Sequence, residues 1–250
     1  MIPESVADYA RLVGRAASAA ADEHLIAVYL HGSAVLGGWT PDRSDVDILV
    51  VARDEIDVSS LRRVGLALSG TAGSCPGRKG LETSVVLARE AAAPQPPWPF
   101  LLHVTTEGGD PAVVRGSDSP GDPDLLMHYA VCRAAGWAVH GPPAQAQIGP
   151  VPREVILAYL ADEAGWGLEN APEAYAVLNA CRATVFLADG QIVSKVAGGQ
   201  IALRRGLGPA ALIERALAQQ EGLAPEARPA PDAVEFVRAT AATLRAAPAG

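Results

Sequence analysis

The sequence predicts two domains, an N-terminal α/β (α+β) domain with a mixed sheet and a C-terminal domain that is an all-α helical bundle. The first domain is indicated by short β-rich runs that alternate with glycine turns and helical stretches. The second is indicated by apolar residues that recur three and four positions apart in the later segments. Between them lies the proline-rich stretch "HGPPAQAQIGPVP", residues 140–152, which is typical of a linker. We therefore expect domains over residues 1–146 and 147–250.

The composition is that of an acidic protein with enough apolar material for two cores. The chain is 49% hydrophobic and carries a formal net charge of −8. This charge argues against a general affinity for nucleic acids and suits a cationic partner better. No apolar run reaches the length that spans a bilayer, and the N-terminus lacks the pattern of a secretory signal. We expect a cytoplasmic protein without a membrane partner, a monomer, with reduced cysteines at positions 75, 132 and 181.

The N-terminal domain is expected to begin with an amphipathic helix, capped by Ser5 and Asp8, and to contain four strands. The strands are predicted in the runs "LIAVYLHGS", "DVDILVVA", "LETSVVLA" and "FLLHVTTE". A further helix is predicted over residues 57–69, and a polar loop precedes another over residues 124–137. The helices predicted after the linker are "REVILAYLADEA", "EAYAVLNACRATVFLA" ended by Gly190, "PAALIERALAQQ" and "DAVEFVRATAATLRAA".

Two aspartates stand at the start of the second predicted strand, in "HGSAVLGGWTPDRSDVDILVV", residues 31–51. Side chains alternate along a strand, so Asp45 and Asp47 face the same side while Val46 and Ile48 face the core. Two neighbouring carboxylates repel each other unless a cation compensates their charge. Hard oxygen ligands of this kind suit magnesium, which proteins usually share with substrate phosphates.

A Gly-Ser pair ends the preceding strand, and eleven residues separate it from the first aspartate. A helix could begin there, and the backbone N–H groups of Gly32 and Ser33 and the Ser33 hydroxyl could then receive a phosphate. A lone Asp-x-Asp is common in surface loops and is a weak indication of function, and a lone Gly-Ser pair is a weaker one. The ordered combination of the two is more specific than either alone.

This combination resembles the signature of the nucleotidyltransferase superfamily related to DNA polymerase beta. The resemblance implies a third carboxylate from a later strand, for which the candidate is Glu82 in "GLETSVVLA". It also implies that Asp45, Asp47 and Glu82 hold two Mg²⁺ ions, and that Glu82 takes the proton of an attacking hydroxyl. A solvated glutamate at a strand end is the alternative interpretation of Glu82.

Four stretches resemble more closely the aminoglycoside adenylyltransferases of the (3'')(9) type, which modify streptomycin and spectinomycin. They are "LHGSAVLGGWTPDRSDVDILVV", "GLETSVVL", "DPDLLMHYAVCRAAGWAVHGPP" and "AVLNACRATVFLADGQIVSKVAGGQIAL". The resemblance implies that Arg182, in a helix, and Lys195, past a turn, contact the nucleotide phosphates, and that Ser44 lies near the nucleotide and metal. Ser44 could equally be a turn residue, and a single Arg or Lys could simply be solvated.

The acceptor is expected to be small, cationic and hydroxylated, because carboxylates pair with ammonium groups and accept hydrogen bonds from hydroxyls. The carboxylates that we assign to it are Glu107, Glu163, Glu169 and Glu173, with Trp166 as an aromatic wall. None of them falls directly on the positions that contact streptomycin in the family.

The resulting hypothesis is an enzyme, a nucleotidyltransferase that confers antibiotic resistance. It transfers AMP from ATP, with Mg²⁺, to a hydroxyl of an aminoglycoside or aminocyclitol such as spectinomycin or streptomycin, and it releases pyrophosphate. Two alternatives remain open: a nucleotidyltransferase that adenylylates a protein, and a non-catalytic sensor that binds a nucleotide or an antibiotic.

Overall fold

A computed structural model describes residues 1–248, which divide into two compact units. The first unit is Met1–Val151, and the second runs from Pro152 to the end of the described chain. The domain boundary between residues 146 and 147 stays a prediction. Among the described residues, no helix combines the length and the apolar character needed to cross a bilayer.

The first unit contains a six-stranded sheet. Its strands are β1 Leu25–Leu30, β2 Val46–Ala52, β3 Leu81–Leu87, β4 Leu102–Thr105, β5 Ala112–Arg115 and β6 Trp137–His140. They lie in the order β5-β4-β3-β2-β1-β6, with β2 and β3 parallel and the other neighbours antiparallel. The predicted mixed sheet is confirmed.

Two long helices of this unit pack on one face of the sheet. The helices of the unit are α1 Glu4–Ala21, α2 Gly32–Val35, α3 Val58–Ser69, α4 Ala88–Ala92, α5 Leu125–Ala135 and α6 Ala144–Gln147. Helices α1 and α3 pack against each other and against the strands. Val46 and Ile48 of β2 are completely buried in the core that these helices share, as the alternation of the strand predicts. Asp47, between them in sequence, therefore points to the opposite face.

The predictions were wrong at several boundaries of the first unit. Helix α1 has Pro3 as its N-cap, so Ser5 lies inside the helix and makes no capping bond. The predicted polar loop contains β5, an edge strand whose four residues are all exposed. The helix expected to reach residue 137 ends at Ala135, because the chain then turns to pair β6 with β1. The proline-rich linker consequently contains the end of β6 and all of α6.

The second unit is helical throughout its regular structure, which confirms the predicted class. Its helices are α7 Arg153–Asn170, α8 Glu173–Asp189, α9 Lys195–Arg205, α10 Ala210–Gln220 and α11 Pro231–Ala246. Helix α8 is central, because it packs against each of the other four. It ends at Gly190, which adopts the left-handed conformation. Helix α9 was not predicted from the sequence.

Candidate active site

Three carboxylates lie together where β2 and β3 begin. Asp47 and Glu82 are register partners in this parallel pair, and Asp45 comes directly before β2. One oxygen of each carboxylate lies within 4.8 Å of the others, and all three residues are partly buried. Such a set of hard oxygen donors fits a divalent cation like Mg²⁺. The structure thus brings together the three predicted ligands, whose roles in metal binding and catalysis stay predictions.

The turn between β1 and α2 brings Gly32 against Asp47. The His31 backbone N–H donates to the Asp47 carbonyl at 3.0 Å, which joins the end of β1 to β2. Gly32 has a φ of 66°, and a Cβ added there would collide with the Asp47 carboxylate. A glycine meets both conditions without strain.

The two serines predicted to bind the nucleotide have different surroundings. The Ser33 hydroxyl oxygen is buried and has no hydrogen-bond partner within residues 1–248, so its hydrogen-bonding capacity is available to a ligand. The Ser44 hydroxyl accepts a hydrogen bond from the Thr40 backbone N–H at 3.0 Å. Ser44 therefore closes the turn before Asp45, as its alternative interpretation holds, and its contact with a nucleotide stays a prediction.

The Glu82 carboxyl has an unusually high proton affinity. Burial, followed by the charge of Asp45 and a hydrogen bond with it, raises the pKa of Glu82 to about 8, and Asp124 and Asp122 contribute further. The metal-free protein therefore holds a proton at Glu82 at neutral pH. A bound cation would relieve the same repulsion. A carboxylate with a pKa close to neutrality is also well suited to act as a general base.

Side chains around the start of α5 surround Glu82 and were missed in the sequence. The charges of Asp122 and Asp124 reach Glu82. His128 Nε2 lies 4.0 Å from Glu82 Oε1, and the His128 ring lies 4.7 Å from that of His31. Burial lowers the pKa of both histidines, so both are neutral near pH 7. The sequence did contain a signal, the "DPD" stretch of residues 122–124, which is a second Asp-x-Asp pair at the start of the predicted helix.

In the second unit, four of the predicted residues meet around Tyr175. The Tyr175 hydroxyl donates to Glu163 Oε1 at 2.6 Å, and Lys195 Nζ lies 4.3 Å from the centre of the phenol ring. Arg182 lies on the same face of α8, where its charge acts on Tyr175. Burial raises the pKa of Tyr175, and Glu163 raises it further, so the phenol stays protonated. Trp166 packs edge-on against Tyr175, with ring centres 5.9 Å apart.

The other three predicted acidic residues lie elsewhere. Glu107 is exposed and forms an ion pair with Lys79 at 2.7 Å. Glu169 lines an open groove of about 370 Å³ formed by residues of α7 and α11. Glu173 is buried and forms an ion pair with Arg215 at 2.7 Å. This pairing favours a structural role for Glu173, and substrate binding by the three glutamates stays a prediction.

Comparison with known proteins adds two matched domain families, one curated relative and one solved structure. Residues 16–68 match the nucleotidyltransferase domain family, and residues 148–246 match the C-terminal domain family of aminoglycoside adenylyltransferases. A spectinomycin 9-adenylyltransferase of Campylobacter jejuni is 26% identical over 132 residues, which are 51% of this chain and 50% of that protein. The match thus spans about half the length of this relative.

A solved structure shares the fold. It is the crystal structure of spectinomycin adenyltransferase AAD(9) from Enterococcus faecialis with ATP and spectinomycin. The superposition has a TM-score of 0.65 and covers 96% of this chain and 97% of that chain, at 16% sequence identity.

Proposed function

We propose that this chain, an aminoglycoside adenylyltransferase-like nucleotidyltransferase, transfers AMP from ATP to a hydroxyl of an antibiotic. Pyrophosphate is the second product. The acceptor that we favour is spectinomycin, because both relatives carry this compound in their names. Streptomycin and other aminoglycosides are the next candidates. The reaction would take place in the cytoplasm, where ATP is available, and would confer antibiotic resistance.

The observation that carries this proposal is the carboxylate set of Asp45, Asp47 and Glu82. One oxygen of each lies within 4.8 Å of the others. The turn that brings Gly32 against Asp47 also carries the buried Ser33 hydroxyl, which has no partner among the described residues. Three carboxylates this close destabilise the native protein unless a proton or a cation intervenes. An arrangement of this kind is therefore expected where a metal–phosphate substrate binds.

The three carboxylates would hold Mg²⁺, which, when bound, supplies positive charge at the reacting phosphate. The acceptor hydroxyl oxygen forms a bond to the α-phosphorus of ATP, and the bond from this phosphorus to the pyrophosphate oxygen breaks. Glu82 takes the hydroxyl proton, and pyrophosphate leaves with the electron pair. Ser33 would donate its hydroxyl hydrogen to a phosphate oxygen, while Arg182 and Lys195 would offset phosphate charge.

The acidic residues near Glu82 suit a cationic acceptor. Asp122 and Asp124 lie close enough for their charges to raise the pKa of Glu82, so they also lie close to the proposed base. Ammonium groups on the acceptor would pair with these carboxylates and bring a neighbouring hydroxyl to Glu82. The side-chain carboxylate of Glu163, in the second unit, is a further candidate for acceptor binding.

Pyrophosphate release with purified protein, ATP and a panel of aminocyclitols and aminoglycosides tests this proposal. We expect release that requires both Mg²⁺ and an acceptor, and that stops when EDTA removes the metal. Glu82→Gln is expected to lower kcat by about a hundredfold or more, because the amide cannot accept the hydroxyl proton.

Glu55→Gln is the matched control, since Glu55 is an exposed glutamate of the same unit. It should leave kcat unchanged. Absence of release with every member of the panel would refute antibiotic modification, and normal turnover of Glu82→Gln would remove Glu82 as the base.

A further inference from the structure

Helix α8 carries a buried amide that lacks a hydrogen bond. Asn179 is only 3% exposed, and neither its Oδ1 nor its Nδ2 has a hydrogen-bond partner within residues 1–248. The Asn179 amide lies close enough to the Tyr175 hydroxyl to lower the pKa of the phenol, although neither amide atom meets hydrogen-bond geometry within residues 1–248. Buried amides in native proteins are normally hydrogen-bonded, because an unpaired one destabilises the fold.

Packing alone gives no reason for an amide at this position. The buried residues next to it on α8 are small or apolar, namely Leu178, Ala180, Cys181 and Ala183. Leucine has the same number and branching of side-chain heavy atoms as asparagine and would place no unpaired polar group in the core. An unpaired amide in such a helix therefore indicates a partner that binds reversibly.

The neighbours of Asn179 define the charge of this partner. Tyr175, Asn179 and Arg182 are spaced by four and three residues, so they form one stripe along α8. Arg182 Nε is also buried and has no hydrogen-bond partner in the described chain. Lys195 Nζ lies over the Tyr175 ring at the other end of the stripe. Two cations on either side of an amide favour an anionic ligand with several acceptor oxygens.

We infer that Asn179 binds the nucleotide directly, with Nδ2–H donating to a phosphate oxygen beside Arg182 Nε–H, and Oδ1 accepting from a ligand hydroxyl. A polyphosphate alone has acceptors but no donor for Oδ1, whereas a nucleoside triphosphate offers both through its phosphates and ribose. The inference rests on the proposed function and adds a nucleotide-positioning residue to it.

Calorimetric titration of the full chain with MgATP and with magnesium tripolyphosphate tests this assignment. Asn179→Leu should weaken MgATP binding about tenfold and tripolyphosphate binding less, because only the nucleotide uses the amide oxygen. The same variant should unfold at an equal or higher temperature than the wild type, since it removes an unpaired group. A purely structural role predicts a lower unfolding temperature.

Asn170→Leu is the control, because Asn170 is an exposed asparagine of α7 whose amide donates to the Trp166 carbonyl at 3.0 Å. It should bind MgATP as the wild type does. Should Asn179→Leu fold poorly, the nearly isosteric Asn179→Asp replaces the N–H donor with a charged oxygen and should weaken MgATP binding by more than tenfold.

Wild-type affinity for MgATP in either Asn179 variant would overturn the inference and leave the proposed function standing. Equal losses for MgATP and tripolyphosphate would overturn the assignment of a ligand hydroxyl to Oδ1. Failure of the wild type itself to bind MgATP would overturn the proposed function and this inference together.

Discussion

At the scale of single residues, the carboxylate set depends on a glycine whose two constraints can be separated. Gly32 has a positive φ, and it also lies against the Asp47 carboxylate. Gly37 has a similar φ of 76°, but an added Cβ would meet no atom of residues 1–248 within 4 Å. Substitutions at the two glycines therefore separate the effect of backbone strain, which both would show, from the effect of crowding the Asp47 carboxylate, which only a change at Gly32 would show.

We expect Gly32→Ala to remove most of the proposed AMP transfer activity and Gly37→Ala to retain it. Both variants force a Cβ into the left-handed region at a cost of about 1 kcal/mol. Only Gly32→Ala also displaces the Asp47 carboxylate, and displacements of this size can reduce kcat about a hundredfold. Steady-state pyrophosphate release at saturating MgATP measures the difference, and equal losses in both variants would assign the effect to the backbone.

The residues of the site differ in how far the sequence could identify them. Asp45 and Asp47 share a face because of the two-residue period of a strand, which is a local property. Glu82 needed the resemblance to a known superfamily, because no short-range pattern joins β3 to β2. Asp122 and His128 were missed because their proximity to Glu82 depends on how α5 packs, which is a tertiary property.

At the scale of elements, glycine brings α9 close to α8 in the second unit. A Cβ at Gly198 would lie 2.8 Å from Cα and Cβ of Arg182. Gly198→Ala should therefore push α9 away from α8, lower the free energy of unfolding by about 1–3 kcal/mol and weaken MgATP binding. Lys195 begins α9, so the separation between Lys195 and Arg182 would change as well.

Gly165→Ala in α7 is the matched control, because an added Cβ there meets no atom of the described chain within 4 Å. Alanine should stabilise this helix by about 0.5–1 kcal/mol through its higher helix propensity. Urea unfolding and MgATP titration of both variants provide the measurement. If Gly198→Ala and Gly165→Ala had the same free energy of unfolding and the same affinity for MgATP, close packing of α9 on α8 would be irrelevant to stability and to binding.

The elements that the sequence predicted are those with an uninterrupted local pattern. The long helices α7, α8, α10 and α11 carry regular apolar faces, and strands β1 to β3 are rich in β-branched residues. Helix α9 was missed because "VAGGQIAL" contains two adjacent glycines, which disfavour a helix in isolation. Strands β5 and β6 are four residues long at the edges of the sheet, and pairing with β4 and β1 determines them.

At the scale of the whole molecule, one buried carboxylate connects three parts of the second unit. Glu173, at the start of α8, accepts hydrogen bonds from Arg215 of α10 at 2.7 Å and from the Ala230 N–H before α11 at 2.9 Å. Arg215 also pairs with Asp232 of α11 at 3.0 Å. Removing one member of such a buried pair leaves the other charge uncompensated, so stability should depend strongly on Glu173.

The protonation of Glu173 should consequently make the stability of the protein depend on pH. Burial raises the pKa of Glu173, but the bonds from Arg215 and Ala230 outweigh it, and the net pKa lies below the ordinary value of 4.5. The native state thus binds this proton less tightly than the unfolded chain does. The stabilisation is complete above the ordinary pKa and is lost as the pH falls through the native one.

We expect Glu173→Gln to lower the free energy of unfolding by about 3 kcal/mol at pH 7, as breaking a buried ion pair does. The difference from the wild type should shrink below about pH 4.5, because the wild-type carboxylate is then progressively protonated. Urea unfolding at pH 7 and at lower pH measures this, with Glu169→Gln as the control for an exposed glutamate. A difference that stayed constant with pH would mean that the shape of the side chain, and not its charge, holds the helices together.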